Sequence, residues 1–144
     1  MIHIAEARNI DLPRLREIFL NERQRTFVWN STSEFQLDDF DKQTQGEYVL
    51  TALLNDIPIG FISIWMPTNF IHHLYVDQNY QGQNIGTQLL EAAKMKTRFP
   101  ITLKCLVNNT KAIAFYTKKG FIEKEKGLSH NGTYILFELK KNTV

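Results

Sequence analysis

Two adjacent histidines, His72 and His73, sit in the apolar run FIHHLYV, residues 70–76. An imidazole with an unperturbed pKa of about 6.5 accepts protons at neutral pH, so either one is a candidate general base. Strand alternation puts Phe70, His72, Leu74 and Val76 on one face and Ile71, His73 and Tyr75 on the other. His72 is the first candidate and His73 the second, with a β-bulge able to exchange the faces. Side chains on opposite faces make poor joint metal ligands, so no metal is expected. The plainer reading of each ring is a histidine paired with a neighbouring backbone group.

Directly downstream, DQNYQGQNIGTQLLEAAK, residues 77–94, runs from a Gln- and Gly-rich turn into a helical pattern. Ile85, Leu89, Ala92 and Ala93 fall on one face of that helix. Amides at a helix start lack intrahelical partners and, with the helix dipole, can cradle a phosphate; glycine lets it come close. The turn has no Gly-Lys-Ser/Thr, which excludes a Walker A loop. Its two glycines, Gly82 and Gly86, lie past mid-chain after several strands, which excludes a dinucleotide fingerprint. A purely structural turn is the alternative. Cys105, mid-strand in TLKCLV, has no paired base in sequence and reads as a small hydrophobe rather than a nucleophile.

The elements that must position these groups follow from periodicity. Residues 2–7 alternate as a first strand, and Asp11 stands where it can cap a helix with Pro13 in its first turn. Leu12, Leu15, Ile18 and Phe19 form that helix's stripe. Residues 26–46 break the pattern and read as a loop with one short helix. EYVLTALL and IPIGFISIWM form a hairpin about Asn55-Asp56, and residues 70–76 add a strand. PITLKCLV is a further strand, and NTKAIAFYTKKG a helix with Asn109 near its start, Lys118 and Lys119 in its last turn and Gly120 as stop. FIEKEK and TYILFELKK close the chain as a strand pair around GLSHNG. The order βα, loop, βββ, αβ, αββ predicts a mixed sheet with helices on both faces, not a doubly wound parallel one.

A chain of 144 residues fits one domain over residues 1–144. A formal net charge of +2 is too small to argue for nucleic acid or an acidic membrane surface. One cysteine forms no internal disulfide and suits a reducing cytosol; the start does not read as a signal peptide, and no run of some twenty apolar residues occurs. A cytoplasmic domain is expected.

A second motif stands at residues 107–121, VNNTKAIAFYTKKGF. Here the sequence resembles the GCN5-related N-acetyltransferase (GNAT) family, whose second signature reads Asn-x-x-Ala-x-x-Phe-Tyr-x-x-x-Gly-Phe. Asn109, Ala112, Phe115, Tyr116, Gly120 and Phe121 match it. The family's acetyl-CoA loop, Gln/Arg-x-x-Gly-x-Gly/Ala, is similar to QGQNIG, residues 81–86, with Asn84 in place of the middle glycine. Asn tolerates left-handed backbone and keeps its N–H, so an altered loop rather than a lost site is expected. The resemblance implies an acyl-CoA N-acyltransferase-like fold, α/β of the α+β type, with a largely antiparallel sheet of about seven strands. It also implies that the coenzyme A pyrophosphate rests on Gln81, Gly82, Gln83, Asn84, Ile85, Gly86 and Thr87. The pantetheine arm would lie between splayed strands beside Leu74, Tyr75 and Val76, with Asn109, Ala112, Phe115 and Tyr116 also at the cofactor. Tyr116 matches the tyrosine that protonates the departing thiolate. Without the motif, a Phe-Tyr pair on such a helix would read as packing.

Acetyl transfer to an amine needs a proton removed, because a primary amine with pKa near 10 is about 99.9% protonated at pH 7. His72 or His73 would do this, unless an ordered water does. A backbone N–H near Leu74 would stabilise the carbonyl oxygen, worth about 3–4 kcal/mol. Residues 21–47 lie where similar enzymes vary toward the acceptor. Trp29, Phe35 and Phe40 offer an apolar wall, and Asp38, Asp39 and Asp41 an attraction for a cationic amine. The plainer reading is a solvated acidic face over buried aromatics. The leading expectation is an acetyl-CoA-dependent N-acetyltransferase working by direct transfer in a ternary complex, as monomer or homodimer, on a small-molecule amine or a peptide or protein amine: small amine, polyamine, aminoglycoside, amino acid and protein N-terminus all stay open. A non-catalytic acyl-CoA sensor and an interaction protein without cofactor are the alternatives.

Overall fold

The computed structural model describes residues 1–28 and 34–141. Its frame is one seven-stranded sheet in the order β1-β2-β3-β4-β5-β7-β6. The strands are β1 (Ile2–Glu6), β2 (Tyr48–Leu54), β3 (Ile57–Trp65), β4 (Phe70–Val76), β5 (Ile101–Leu106), β6 (Ile122–Ser129) and β7 (Gly132–Leu139). Every neighbouring pair is antiparallel except β4 and β5. The β2–β3 hairpin turns at Asn55 and Asp56, both left-handed at φ 51° and 66°, the geometry an Asn-Asp pair tolerates.

Helices cover both faces. On one, α1 (Leu12–Thr26) and the short α2 (Asp39–Gln43) bury Leu15, Ile18, Phe19 and Phe40 against Val49 and Phe61. On the other, α3 (Ile85–Lys96) and α4 (Thr110–Lys118) pack Leu89, Leu90, Ala93 and Tyr116 onto Ile62, Ile64, Leu103 and Phe137. Asn109 caps α4, its side chain accepting from the Ala112 N–H at 3.3 Å, and Gly120 ends that helix at φ 96°.

Two expectations change. Asp11 holds the cap position of α1 but makes no bond into the helix; its carboxylate accepts instead from the backbone and side chain of Arg8. Burial would raise this carboxyl, and the Arg8 bonds outweigh it, holding the group below the ordinary range. The closing hairpin is longer than composition suggests, because strand pairing runs through Gly127 and Leu128 to Ser129. Gly127 faces Tyr134, where a Cβ would stand 2.4 Å from the tyrosine oxygen. Glycine here makes room for a ring lying across the strand, so it marks a close approach and not a turn.

The parallel pair positions the site. β4 and β5 share only Phe70↔Thr102 and Ile71↔Leu103 before they part. Against β3, β4 is bulged, with Ser63 opposite His73 and Ile64 opposite Ile71. His72 is the extra residue.

Candidate active site

Where β4 and β5 diverge, a cavity of about 900 Å³ opens between β4, the turn after it, and the starts of α3 and α4. Of the proposed cofactor residues, it is lined by Leu74, Tyr75, Val76, Gln81, Gly82, Asn84, Ile85, Gly86 and Thr87. Asn109, Ala112, Phe115 and Tyr116 close its other side, and Gln83 is absent from the lining. Gly82 and Asn84 both take left-handed backbone, at φ 79° and 68°, so Asn84 adopts the conformation that a glycine would hold freely. It also stands as N-cap of α3, which leaves the first-turn amides without intrahelical partners. Gly86 lies under Phe115, where a Cβ would meet the ring at 3.6 Å.

Sequence reasoning missed the group that anchors this turn. Glu22 on α1, 4% exposed, accepts from the Gln78 N–H and from the Gln81 side chain. Gln81 spends its second N–H on the Val76 carbonyl at 2.9 Å, tying the turn both to α1 and to the end of β4. Burial raises the Glu22 carboxyl; the Gln78 N–H and the Arg25 charge oppose it. Its signal was absent because its partners are 56 and 59 residues away.

A second cavity of about 280 Å³ lies on the α1 side of the gap. It shares Leu74, Tyr75, Asn109, Ala112 and Tyr116 with the first, so the two meet along these residues, Tyr116 among them. Burial pushes the Tyr116 phenol well above its usual range, keeping it a proton donor, and raises the Cys105 thiol to about 12, which leaves it a poor nucleophile.

Both histidines line this second cavity. The bulge overturns the expectation that they point apart: their rings stack at 3.8 Å, 26° from parallel. His72 is exposed and its Nδ1 lies 2.7 Å from Oε2 of Glu47, a half-buried residue whose side chain is 7% exposed. His73 is driven down to about 2 by burial, then by the charges of His72 and Arg23, and so stays neutral. It packs edge-on against Phe19 at 4.6 Å. The ligand atoms of Glu47, His72 and His73 lie within 4.8 Å of one another, so the geometric objection to shared metal ligation fails. The close contact within that set is already a hydrogen bond, and a cation bound between Glu47 and His72 would have to break it.

The expected acceptor residues are dispersed. Phe35 lines the second cavity. Phe40 does not; it is 2% exposed, in edge-to-face contact with Phe19 and Phe61. Trp29 lies outside the described residues. The three aspartates are engaged elsewhere: Asp39 with Arg23 at 3.1 Å, Asp41 with Arg16 at 2.8 Å and Asp38 with Lys42 at 3.4 Å. They form no acidic lure for a cation. Instead Arg23 and Lys104 line the cavity, Arg23 stacked 3.8 Å over the Phe19 ring. Among the described residues, no helix is long and apolar enough to cross a membrane.

Comparisons with known proteins converge on this architecture. An uncharacterized N-acetyltransferase of Methanocaldococcus jannaschii is 36% identical over 50% of this chain and 38% of its own length. The match thus spans well under half of that relative. A PaiA N-acetyltransferase of Thermoplasma acidophilum, solved with coenzyme A, superposes with TM-score 0.82 at 21% identity, covering 98% of this chain and 99% of that one. A GCN5-related N-acetyltransferase of Rhodopseudomonas palustris gives 0.78 at 20%, covering 96% and 95%. At these identities the likeness is one of fold. The model of the acetyltransferase (GNAT) family matches residues 12–121, and the chain belongs to that family.

Proposed function

We propose that the chain is an N-acetyltransferase that takes an acetyl group from acetyl-CoA and delivers it directly to a primary amine. The observation that carries this reading is that two cavities of unequal size meet at Tyr116, across the gap between β4 and β5. The larger fits a coenzyme: left-handed turn residues, free helix-start amides and a gap between strands are the features an extended diphosphate-bearing molecule requires. The smaller holds a base of suitable type, His72, with its Nδ1 on Glu47 and its other nitrogen left for an amine. That PaiA is solved with coenzyme A supports the choice of cofactor.

Bound acetyl-CoA supplies a thioester whose C–S bond breaks as the C–N bond forms. His72 takes the proton that the amine must lose, and Glu47, 2.7 Å from its Nδ1, fixes the orientation of the ring. Tyr116 gives a proton to the departing sulfur; burial raises its phenol and so keeps it protonated until that step. With acetyl-CoA bound, a backbone N–H near Leu74 would stabilise the carbonyl oxygen. Cys105, raised to about 12, takes no covalent part, which favours transfer within a ternary complex.

Release of free thiol from acetyl-CoA, measured over a panel of amines beside a coenzyme A titration, tests the proposal. Amine-dependent release supports it. Binding without release from any amine makes the chain an acyl-CoA sensor, and absence of binding overturns both.

A further inference from the structure

The smaller cavity carries charge information that the transfer reading does not use. No carboxylate lines it among the described residues, and residues 29–33, Trp-Asn-Ser-Thr-Ser, contain no acidic residue. Its cations are Arg23 and Lys104, beside the two histidines. Arg23 is balanced by Asp39 at 3.1 Å. Lys104 makes no ion pair among the described residues; its ammonium sits 4.7 Å over the Tyr134 ring. Glu47 stands behind His72 and does not line the cavity. One positive charge, that of the exposed Lys104, is therefore left without a counterion among the described residues at a cleft of about 280 Å³, near the lower end of small-molecule sites.

Lys104 also has the right place. Its neighbour Leu103 pairs with Ile71, so Lys104 comes next on β5 just as His72 comes next on β4. Both are at the point where the strands part, and both face the α1 side. A small molecule with its amine at His72 therefore shares its cavity with the Lys104 side chain.

We infer that the acceptor is a small amine carrying a carboxylate, of amino-acid type, with Lys104 as the residue that binds the carboxylate. Arg23, between the Phe19 and Phe35 rings, lines the same wall with its charge already met by Asp39, which leaves Lys104 as the group to bind the carboxylate. A diamine would instead set its second ammonium against Lys104, an unfavourable like-charge contact. This rests on the transfer reading and names the class of acceptor.

The experiment compares α-amino acids with the amines they yield on decarboxylation, lysine with cadaverine and phenylalanine with phenethylamine, in the thiol-release assay. Each is also titrated into the protein saturated with coenzyme A. The expected result is a higher kcat/KM for the carboxylate-bearing member of each pair. Lys104→Gln should lower that preference on the order of tenfold, as for loss of one charge-assisted hydrogen bond, and Lys104→Glu should reverse it. Faster release with the decarboxylated amines overturns the inference and leaves the acetyltransferase intact. A preference for carboxylates that survives Lys104→Glu overturns Lys104 as its source. Lys104-dependent binding of the amino acids without release supports the site and overturns the transfer reading. Neither binding nor release of any carboxylate overturns the inference outright.

Discussion

The two cavities are built by different means. The larger is framed by backbone devices: a turn, two left-handed residues and two helix starts, drawn from residues 74–87 and 108–116 with α1 behind them. The smaller is lined by side chains held from far apart, His72 by Glu47 across 25 residues and Arg23 by Asp39 across 16. Backbone devices are local and constrain residue type at fixed spacing. Side-chain constellations depend on register, and a single bulge rearranges them. A family can therefore keep the first region recognisable while the second drifts to new acceptors.

The largest effects should fall where the regions meet. Tyr116→Phe and His72→Ala are each expected to cut turnover by about 10²–10⁴-fold while the coenzyme A titration stays unchanged. A loss of coenzyme affinity equal to the loss of rate would show that the residue belongs to the larger cavity alone. Glu47→Gln is expected to cost about tenfold in kcat, the worth of one hydrogen bond, without altering coenzyme binding. An effect as large as that of His72→Ala would make Glu47 the base itself.

Stability against pH should separate the regions by sign. Burial raises the Glu22 carboxyl, so its contribution is present at low pH and declines as pH rises from the unfolded value near 4.3 through the folded one. Asp39 moves the other way: burial would raise it, but the Gln36 N–H and Arg23 outweigh that and hold it low. Its contribution is present above about pH 3.9 and is lost as pH falls through the folded value. In urea unfolding between about pH 3 and 6, Glu22→Gln should flatten the first slope and Asp39→Asn the second. Parallel changes in the two variants would contradict the assignment. The smallest expected effect is that of a chelator: because Glu47 and His72 are engaged with each other, removal of divalent ions should leave turnover unchanged. A loss would turn these groups into ligands.

How far the sequence could be read follows the same division. Asn109 and Gly120 mark the ends of α4 because a cap and a left-handed stop each demand a residue type. Asn84 is legible as a glycine surrogate for the same reason. The stacked histidines were not, since alternation assigns them to opposite faces and nothing local announces the bulge. Glu22 and Glu47 gave no signal, being lone acids in stretches without a motif. The three aspartates misled in a different way. Composition gives their charge but not their partners, and Arg23, Arg16 and Lys42 neutralise it.

The short ladder between β4 and β5 has a mechanical consequence. Two residue pairs are all that stitch a four-stranded half of the sheet, β1 to β4, to a three-stranded half, β5 to β7. The halves resemble two plates on a narrow seam, braced by the helices lying across them. A molecule seated in the gap acts as a splint, touching both plates where they have no bonds to each other. At a hundredfold excess over its Kd such a splint adds about 2.7 kcal/mol to stability. The added protection from hydrogen exchange should be concentrated in the outer halves of β4 and β5, along the unstitched part of the seam.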